Sequence, residues 1–278
     1  MTTLNLLYPE QSNIPYKKMI FPDGQPHLVI EPESLDKKPN EVKIISRISN
    51  PADLLLVLFA KNALEYLGVQ TINLTITYLM AARMDRVMNP GEPFSLKVVA
   101  QLLNQARFNR VDIFDPHSEV STALIDHAYP IPNHAFVKDC IQQHLGEQQD
   151  FWIISPDGGA LKKIHKVAEY LHTTRVGECM KTRDIKTGKL SGFKSMEDDF
   201  GNLPCFIVDD ICDGGGTFSG VGEVLRQKNA GEIILIISHG IFSKGYTINH
   251  IDHIYTTNSF REIDAPEIKV KQILDYLE

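Results

Sequence analysis

A two-domain α/β fold is the class this chain predicts, and three observations carry it. Strand-like and helix-like runs alternate through most of its 278 residues. The pattern starts afresh after residue 150, and apolar runs end in acids and glycines just before the next amphipathic segment. Such βαβα alternation argues for parallel sheets with helices on both faces. Taken in order, Glu41–Ile48 reads as strand and Asp53–Leu67 as helix, with Leu54, Leu55, Leu58 and Leu64 as its apolar face. Thr71–Leu79 is strand, Phe94–Arg107 helix and Arg110–Phe114 strand. A Pro-rich passage and a helix near Ala135–Leu145 come next. The second series is strand Phe151–Ile154, helix Ala160–Leu171, strand Cys205–Val208, helix Phe218–Gln227 and strand Glu232–Ser238. Polar Gln148-Gln149-Asp150 places a domain boundary near 144–150, giving domains 1–146 and 147–278, with the last helix packing back on the first. Residues 184–203, rich in Lys, Gly, Ser and acids, read as a long mobile loop, and such loops are often functional.

Composition removes several function classes. Asp and Glu number 35 against 28 Lys and Arg, and no basic stripe is evident, so nucleic acid is not an expected partner. The longest apolar run, Leu54 to Ala60, is far too short to span a bilayer. The N-terminus lacks the basic-then-apolar pattern of a signal peptide, and the four cysteines form no C-x-x-C pair. The expectation is a reduced, cytoplasmic, soluble protein.

The richest stretch is Phe206-Ile207-Val208-Asp209-Asp210-Ile211-Cys212-Asp213-Gly214-Gly215-Gly216-Thr217. An apolar strand delivers two vicinal carboxylates to a sheet edge, and a glycine loop then opens a helix. Glycines let backbone N–H groups approach phosphate oxygens, and the helix N-terminus adds partial positive charge. The carboxylates suit sugar hydroxyls, or a metal riding on phosphate. A DDxxD metal motif is the rival reading, but such motifs sit on helices and this one comes after strand residues.

Other strand ends are individually weaker. Ser155-Pro156-Asp157-Gly158-Gly159 precedes a helix carrying Lys162 and Lys163; it suits phosphate or metal, and an ordinary βα turn explains it equally well. Ala82-Arg83-Met84-Asp85-Arg86 can grip phosphate or form a solvated charge cluster. Asp115-Pro116-His117 also ends a strand. Lys181 and Arg183 open the polar loop, where cations can close over phosphoryl groups. No Walker-type G-x-x-x-x-G-K-[ST] and no G-x-G-x-x-G after the first strand occur.

Together these segments resemble ribose-phosphate diphosphokinase, the phosphoribosyl pyrophosphate (PRPP) synthetase family, collinearly over most of the chain. Phe21-Pro22-Asp23-Gly24 is similar to the family's FPDGE, Ala82–Arg86 to Y-A-R-Q-D-R, and Gly91–Ser95 to GEPIS. Asp115–His117 is similar to D-L-H, Ser155–Gly159 to S-P-D-x-G, Val208–Thr217 to V-D-D-x-x-D-T-G-G-T, and Ser238–Phe242 to T-H-G-x-F. The resemblance implies two phosphoribosyltransferase-like domains with the active site between them, ATP as cosubstrate and Mg²⁺ as metal. It implies transfer of the β,γ-diphosphate of ATP to the anomeric hydroxyl of ribose 5-phosphate. By position, Asp209 and Asp210 hold ribose hydroxyls, and Asp213, Gly214, Gly215, Gly216 and Thr217 the 5-phosphate. His117 and Asp157 sit at Mg²⁺. Phe21, Asp23, Arg83, Asp85 and Arg86 line the ATP site, and Lys181 and Arg183 act in catalysis. A homo-oligomer, dimer or hexamer, is implied as well.

The chain also departs from that pattern. Gln25 replaces Glu, Met84 replaces Gln, and Ala81 stands beside Ala82 where Tyr is usual. The short N-terminus lacks the early helix, which argues against the family's control by ADP and phosphate. The loop departs after its first cations. Gly214 replaces Thr, which removes a hydroxyl and opens space near the phosphate. That change admits a larger acceptor such as ADP-ribose, as in divergent phage members that rebuild NAD; ribose 5-phosphate remains the leading acceptor. A phosphoribosyltransferase and a non-catalytic synthetase-associated subunit are the remaining alternatives.

Overall fold

The structure, a computed structural model, describes residues 1–32, 39–146, 150–183 and 190–278, without the side chains of 182–191. It divides into two compact units, one of residues 1–132 with 277–278, the other of residues 133–276.

In the first unit, β1 (Thr2–Asn5) is followed by an antiparallel hairpin, β2 (Tyr16–Ile20) and β3 (Pro26–Ile30). Then come β4 (Glu41–Ile48), α1 (Pro51–Tyr66), β5 (Thr71–Leu79), α2 (Ser95–Gln105), β6 (Arg110–Phe114), α3 (Glu119–Leu124) and β7 (Ala128–Ile131). The sheet order is β1-β4-β5-β6-β7, parallel throughout. Helices α1, α2 and α3 join one core with Ile72, Leu74 and Ile76, residues that alternation places on a single face of β5. The other face of β5 carries Asn73, Thr75 and Thr77.

Helix α1 begins two residues before the sequence reading because of its cap. The Asn50 side chain accepts from the N–H groups of Ala52 and Asp53 at 2.9 and 3.1 Å, and Pro51 fills the first turn. Its buried stripe runs through Leu54, Val57, Lys61 and Leu64. Leu55, expected inside, is 42% exposed, because it lies a quarter-turn from that stripe. Leu64→Ala is expected to cost about 2–5 kcal/mol and Leu55→Ala less than about 0.5 kcal/mol, compared by chemical denaturation.

The second unit opens with α4 (His134–Leu145), then β8 (Trp152–Ser155), α5 (Leu161–Tyr170), β9 (Val176–Arg183), β10 (Leu190–Ser195) and β11 (Cys205–Cys212). Next come α6 (Gly216–Gln227), β12 (Ile233–Gly240), β13 (His253–Thr257) and β14 (Lys269–Lys271). The division falls at 132/133 rather than 146/147 because α4 buries Phe136, Val137, Cys140 and Ile141 against Ile153, Phe206 and Val208 of this unit. The polar run used as a boundary falls within the sequence span of this unit, with residues 147–149 outside the described residues. The chain closes in a 3₁₀ turn, Ile273–Tyr276, rather than an α-helix. Tyr276 Oη donates to Asp139 Oδ2 at 2.6 Å within the same unit, and Leu277 and Glu278 group with the first.

The second sheet runs β10-β9-β8-β11-β12-β13-β14, parallel except for β10 against β9. Helix α6 packs with Cys205, Ile207, Leu235 and Ile237 on one face. Helices α4 and α5 pack with Phe206, Val208, Ile234 and Ile236 on the other, as a strand period of two requires. The five central strands, β9-β8-β11-β12-β13, stand in chain order 2-1-3-4-5. Connections leave β8 and β11 in opposite directions, so a crevice is expected beyond their carboxyl ends.

The segment read as a mobile loop is corrected in part. Leu190–Ser195 is an edge strand paired with β9, and residues 184–189 lie outside the described residues. A polar strand rich in Lys, Ser and Gly suits a sheet edge, where charge discourages further pairing, and it shows no apolar alternation to read. Among the described residues no helix is long and apolar enough to cross a membrane. All four cysteines are free and buried, and burial pushes the thiols of Cys179, Cys205 and Cys212 up to about 12.

Candidate active site

Strand β11 runs four residues past Val208. Pairing with β12 continues through Asp209↔Ile237, Ile211↔His239 and Cys212↔Gly240, so both carboxylates lie within the strand, on opposite faces. Asp210 is buried, and its N–H donates to Asp209 Oδ1 at 2.9 Å. Burial first, and then the Asp210 carboxylate beside it, push Asp209 well above the usual carboxylate range; the charge of Lys163 on α5 opposes them. Two vicinal acids held this way favour a partner that brings donors or positive charge.

Beyond Cys212 the chain turns over backbone contacts. The N–H groups of Ile241 and Phe242 donate to Cys212 O, and Ser243 N–H donates to Asp213 O. Ser243 Oγ donates to Asp213 Oδ1 at 2.6 Å, which fixes that side chain. Gly215 caps α6 in the left-handed region, φ +74°, and offers no side-chain oxygen to the first turn. The first N–H groups of a helix lack intrahelical partners, so this terminus suits an anion. A Cβ at Gly215 would meet Ile248 at 3.0 Å. Gly215→Ala is therefore expected to destabilise by roughly 1–2 kcal/mol from backbone strain alone, seen as a lowered Tm in thermal unfolding. Gly214 borders the stem of Lys244, whose methylenes stand 3.3 Å from where a Cβ would be.

Across the switch point, the loop after β8 presents Asp157. Its Oδ1 accepts from the N–H groups of Gly159 and Ala160 at 3.0 and 3.2 Å, and its Oδ2 from Lys181 Nζ at 2.7 Å. Burial works to raise this carboxyl, but the Lys181 hydrogen bond and charge, with the two backbone donors, outweigh it and hold Asp157 low. Lys181 reaches Asp157 from the end of β9, and not from a loop, because strand pairing opposite Phe193 fixes it there. The Arg183 backbone ends the same strand, while its side chain lies outside the described residues.

The second unit thus holds Asp209, Asp210, Asp213, Gly214–Thr217, Asp157 and Lys181. The first holds the remainder. Phe21 and Asp23 form the tip of the β2–β3 hairpin, where the Phe21 ring sits 5.4 Å from that of His27 and Asp23 Oδ1 accepts from Gln25 N–H at 3.1 Å. Arg83, Asp85 and Arg86 come after β5, and Arg86 Nε lies 3.8 Å from Asp85 Oδ1. His117 is exposed just beyond β6.

Three strand ends carry a non-glycine residue in the left-handed region beside a motif: Ala81 after β5, Asp115 after β6 and Phe242 after β12. Such backbone costs of order 1–3 kcal/mol each and gathers at functional sites. Sequence reading misses Ser243 and Lys244. Their signal is their place in the chain, two polar residues directly after the Ser238–Phe242 motif and at the same strand end.

The chain matches the model for the N-terminal domain of ribose phosphate pyrophosphokinase over residues 13–106. It is 30% identical to the ribose-phosphate pyrophosphokinase of Mycoplasmopsis pulmonis over 260 residues, covering 91% of this chain and 78% of that protein. Identity to the Pyrococcus abyssi enzyme of the same name is 26%, covering 95% and 89%. The fold is similar to that of phosphoribosylpyrophosphate synthetase from Mycobacterium smegmatis, with TM-score 0.75 at 21% identity, over 94% of this chain and 87% of that one. With strand-end motifs, two-unit α/β architecture and relatives in agreement, the chain belongs to the ribose-phosphate pyrophosphokinase family of enzymes.

Proposed function

We propose that this protein makes phosphoribosyl pyrophosphate, transferring the β,γ-diphosphate of ATP to the 1-hydroxyl of ribose 5-phosphate. The 1-oxygen attacks the β-phosphorus, the bond from that phosphorus to the α,β-bridging oxygen breaks, AMP leaves and the hydroxyl proton passes to solvent. One observation carries the reading: a single strand-loop-helix presents two vicinal carboxylates, one buried and one partly buried, and then a glycine-capped helix N-terminus. That is the order of a sugar's vicinal hydroxyls and its phosphate. The names borne by its relatives support the same reading.

In this reading Asp209 and Asp210 accept from the ribose 2- and 3-hydroxyls, and residues 213–217 cradle the 5-phosphate. Phe21, Asp23, Arg83, Asp85 and Arg86 serve ATP. Mg²⁺ prefers oxygen donors, which the ionised Asp157 supplies; His117 is the second group proposed for it. When bound, Mg²⁺ neutralises and orients the diphosphate. Holding Mg²⁺ at Asp157 would release Lys181 from its ion pair there, leaving the ammonium to act on the transferring group, with Arg183 proposed as the second cation for that role. Phosphoryl-type transfer needs positioning and charge neutralisation more than covalent help. Ribose 5-phosphate is favoured over ADP-ribose because the stem of Lys244 lies against Gly214, in the space that the missing threonine leaves. The protein works as a homo-oligomer in this reading, which the exposed Met19, Ile20, Phe21 and Val29 of the hairpin support.

The test offers ATP and Mg²⁺ with ribose 5-phosphate or ADP-ribose, measuring AMP release and product mass. PRPP from ribose 5-phosphate is expected. AMP formed only with ADP-ribose would overturn the acceptor, and AMP with neither would overturn the activity.

A further inference from the structure

Three side chains of the second unit converge at the amino-terminal edge of its sheet, the edge opposite the phosphate loop. His144 lies in the last turn of α4, Glu232 immediately precedes β12, and His253 opens β13. We propose that they bind one divalent transition-metal ion, of which Zn²⁺ fits best.

Their candidate ligand atoms all lie within 4.8 Å of one another. His144 Nε2 is 3.2 Å from Glu232 Oε2, and His253 Nε2 is 3.5 Å from Glu232 Oε1. A tetrahedral ion with ligands about 2.0–2.1 Å away sets them roughly 3.3–3.5 Å apart, and each imidazole nitrogen stands at about that spacing from one Glu232 oxygen, His144 from Oε2 and His253 from Oε1. Two imidazoles and one carboxylate form a donor set that zinc accepts with water in the fourth position. Two imidazoles among three donors suit Zn²⁺ better than Mg²⁺, whose shell is built mainly from oxygen.

The surroundings hold the ligands in place. The His144 side chain is only 8% exposed, with its ring edge-on to Phe206 and Tyr255. Its Nδ1 lies 3.3 Å from Tyr255 Oη, which accepts from Lys269 Nζ at 2.9 Å. A proton on Nδ1, donated to that hydroxyl, leaves the Nε2 lone pair facing Glu232. This is the tautomer a metal selects, and a hydrogen-bonded outer partner of this kind is a regular feature of ligating histidines. Asp252 steadies the other two: its Oδ2 accepts from Ile233 N–H at 2.7 Å, its N–H donates to Ile233 O at 2.9 Å, and Arg226 pairs with its carboxylate. The residues beside Glu232 and His253 are thereby stitched together. Glu232 and His253 remain solvent-accessible, giving an ion an entry path. The buried cysteines offer it no exposed thiol. A bound ion would clamp α4 to the starts of β12 and β13.

The test titrates Zn²⁺ into chelator-stripped, full-length protein by calorimetry, with bound metal counted by elemental analysis and Tm followed in parallel. The expected result is one equivalent bound and a raised Tm. His253→Ala and Glu232→Gln, both at solvent-accessible positions, each abolish that binding step while Mg²⁺-dependent AMP release is unchanged. Tyr255→Phe weakens Zn²⁺ by about 10–100-fold through the lost outer partner. Absence of Zn²⁺ binding in the unaltered protein, or equal binding by the His253 and Glu232 variants, overturns the site.

Discussion

Lys181→Ala is expected to lower the rate of AMP release by about 10²–10³-fold while the fold persists, the scale on which removing one preorganised charge donor acts on a transition state. The variant removes a side chain at a half-open strand end, and the β9–β10 pairing does not depend on it. KM for ATP should change little, because the cation is asked to act on charge that develops during transfer. Asp157 supplies a second readout. Its carboxyl is held low, so its contribution to stability is present above the unfolded value of about 3.9 and is lost as pH falls through the folded value. Without Lys181, burial is left opposed only by backbone donors, and Asp157 titrates higher. Acid unfolding of the variant therefore begins at higher pH than that of the parent. Unchanged AMP release would remove Lys181 from the catalytic account, whatever the acid limb showed.

Asp209→Asn is expected to separate stability from activity. Burial and the Asp210 carboxylate raise Asp209, so its ionisation opposes folding. For an acid raised in the folded state, stability is full below the unfolded value and is lost as pH rises toward the folded one. The amide should therefore raise Tm at neutral pH, by about 2–4 °C for each kcal/mol released, and the gain should vanish as pH falls toward about 3.9. The same change removes a charged acceptor for a ribose hydroxyl, worth about 1.5–3 kcal/mol, so kcat/KM for ribose 5-phosphate should fall roughly 10–100-fold. A variant that is both less stable and fully active contradicts the pairing of strain with function at this strand.

Much of this fold is legible in the chain, for identifiable reasons. Glu41–Ile48, Thr71–Leu79 and Arg110–Phe114 coincide with β4, β5 and β6, because apolar, largely β-branched residues alternate with polar ones along them at the strand period of two. The end of β11 is hidden because carboxylates ordinarily mark a strand's end; here the ladder to β12 carries the backbone on to Cys212. The Lys181–Asp157 pair, 24 residues apart, rests on β9 lying beside β8, and no local pattern states that adjacency. The domain boundary escapes a local reading because the packing partners of α4, Phe206 and Val208, lie some sixty residues beyond it, whereas the polar run beside it is visible at once. The histidine and glutamate cluster is invisible for the same reason: its members are spread from 144 to 253 and meet only across the sheet edge.

The central claim is that an intact diphosphate moves from ATP to a sugar phosphate. The most direct measurement is ³¹P NMR of the protein turning over ATP and ribose 5-phosphate with Mg²⁺. The account predicts AMP together with two mutually coupled phosphorus signals newly attached to the sugar's C1 oxygen. ADP with a single added phosphate, or ADP and inorganic phosphate with the sugar unchanged, would contradict it.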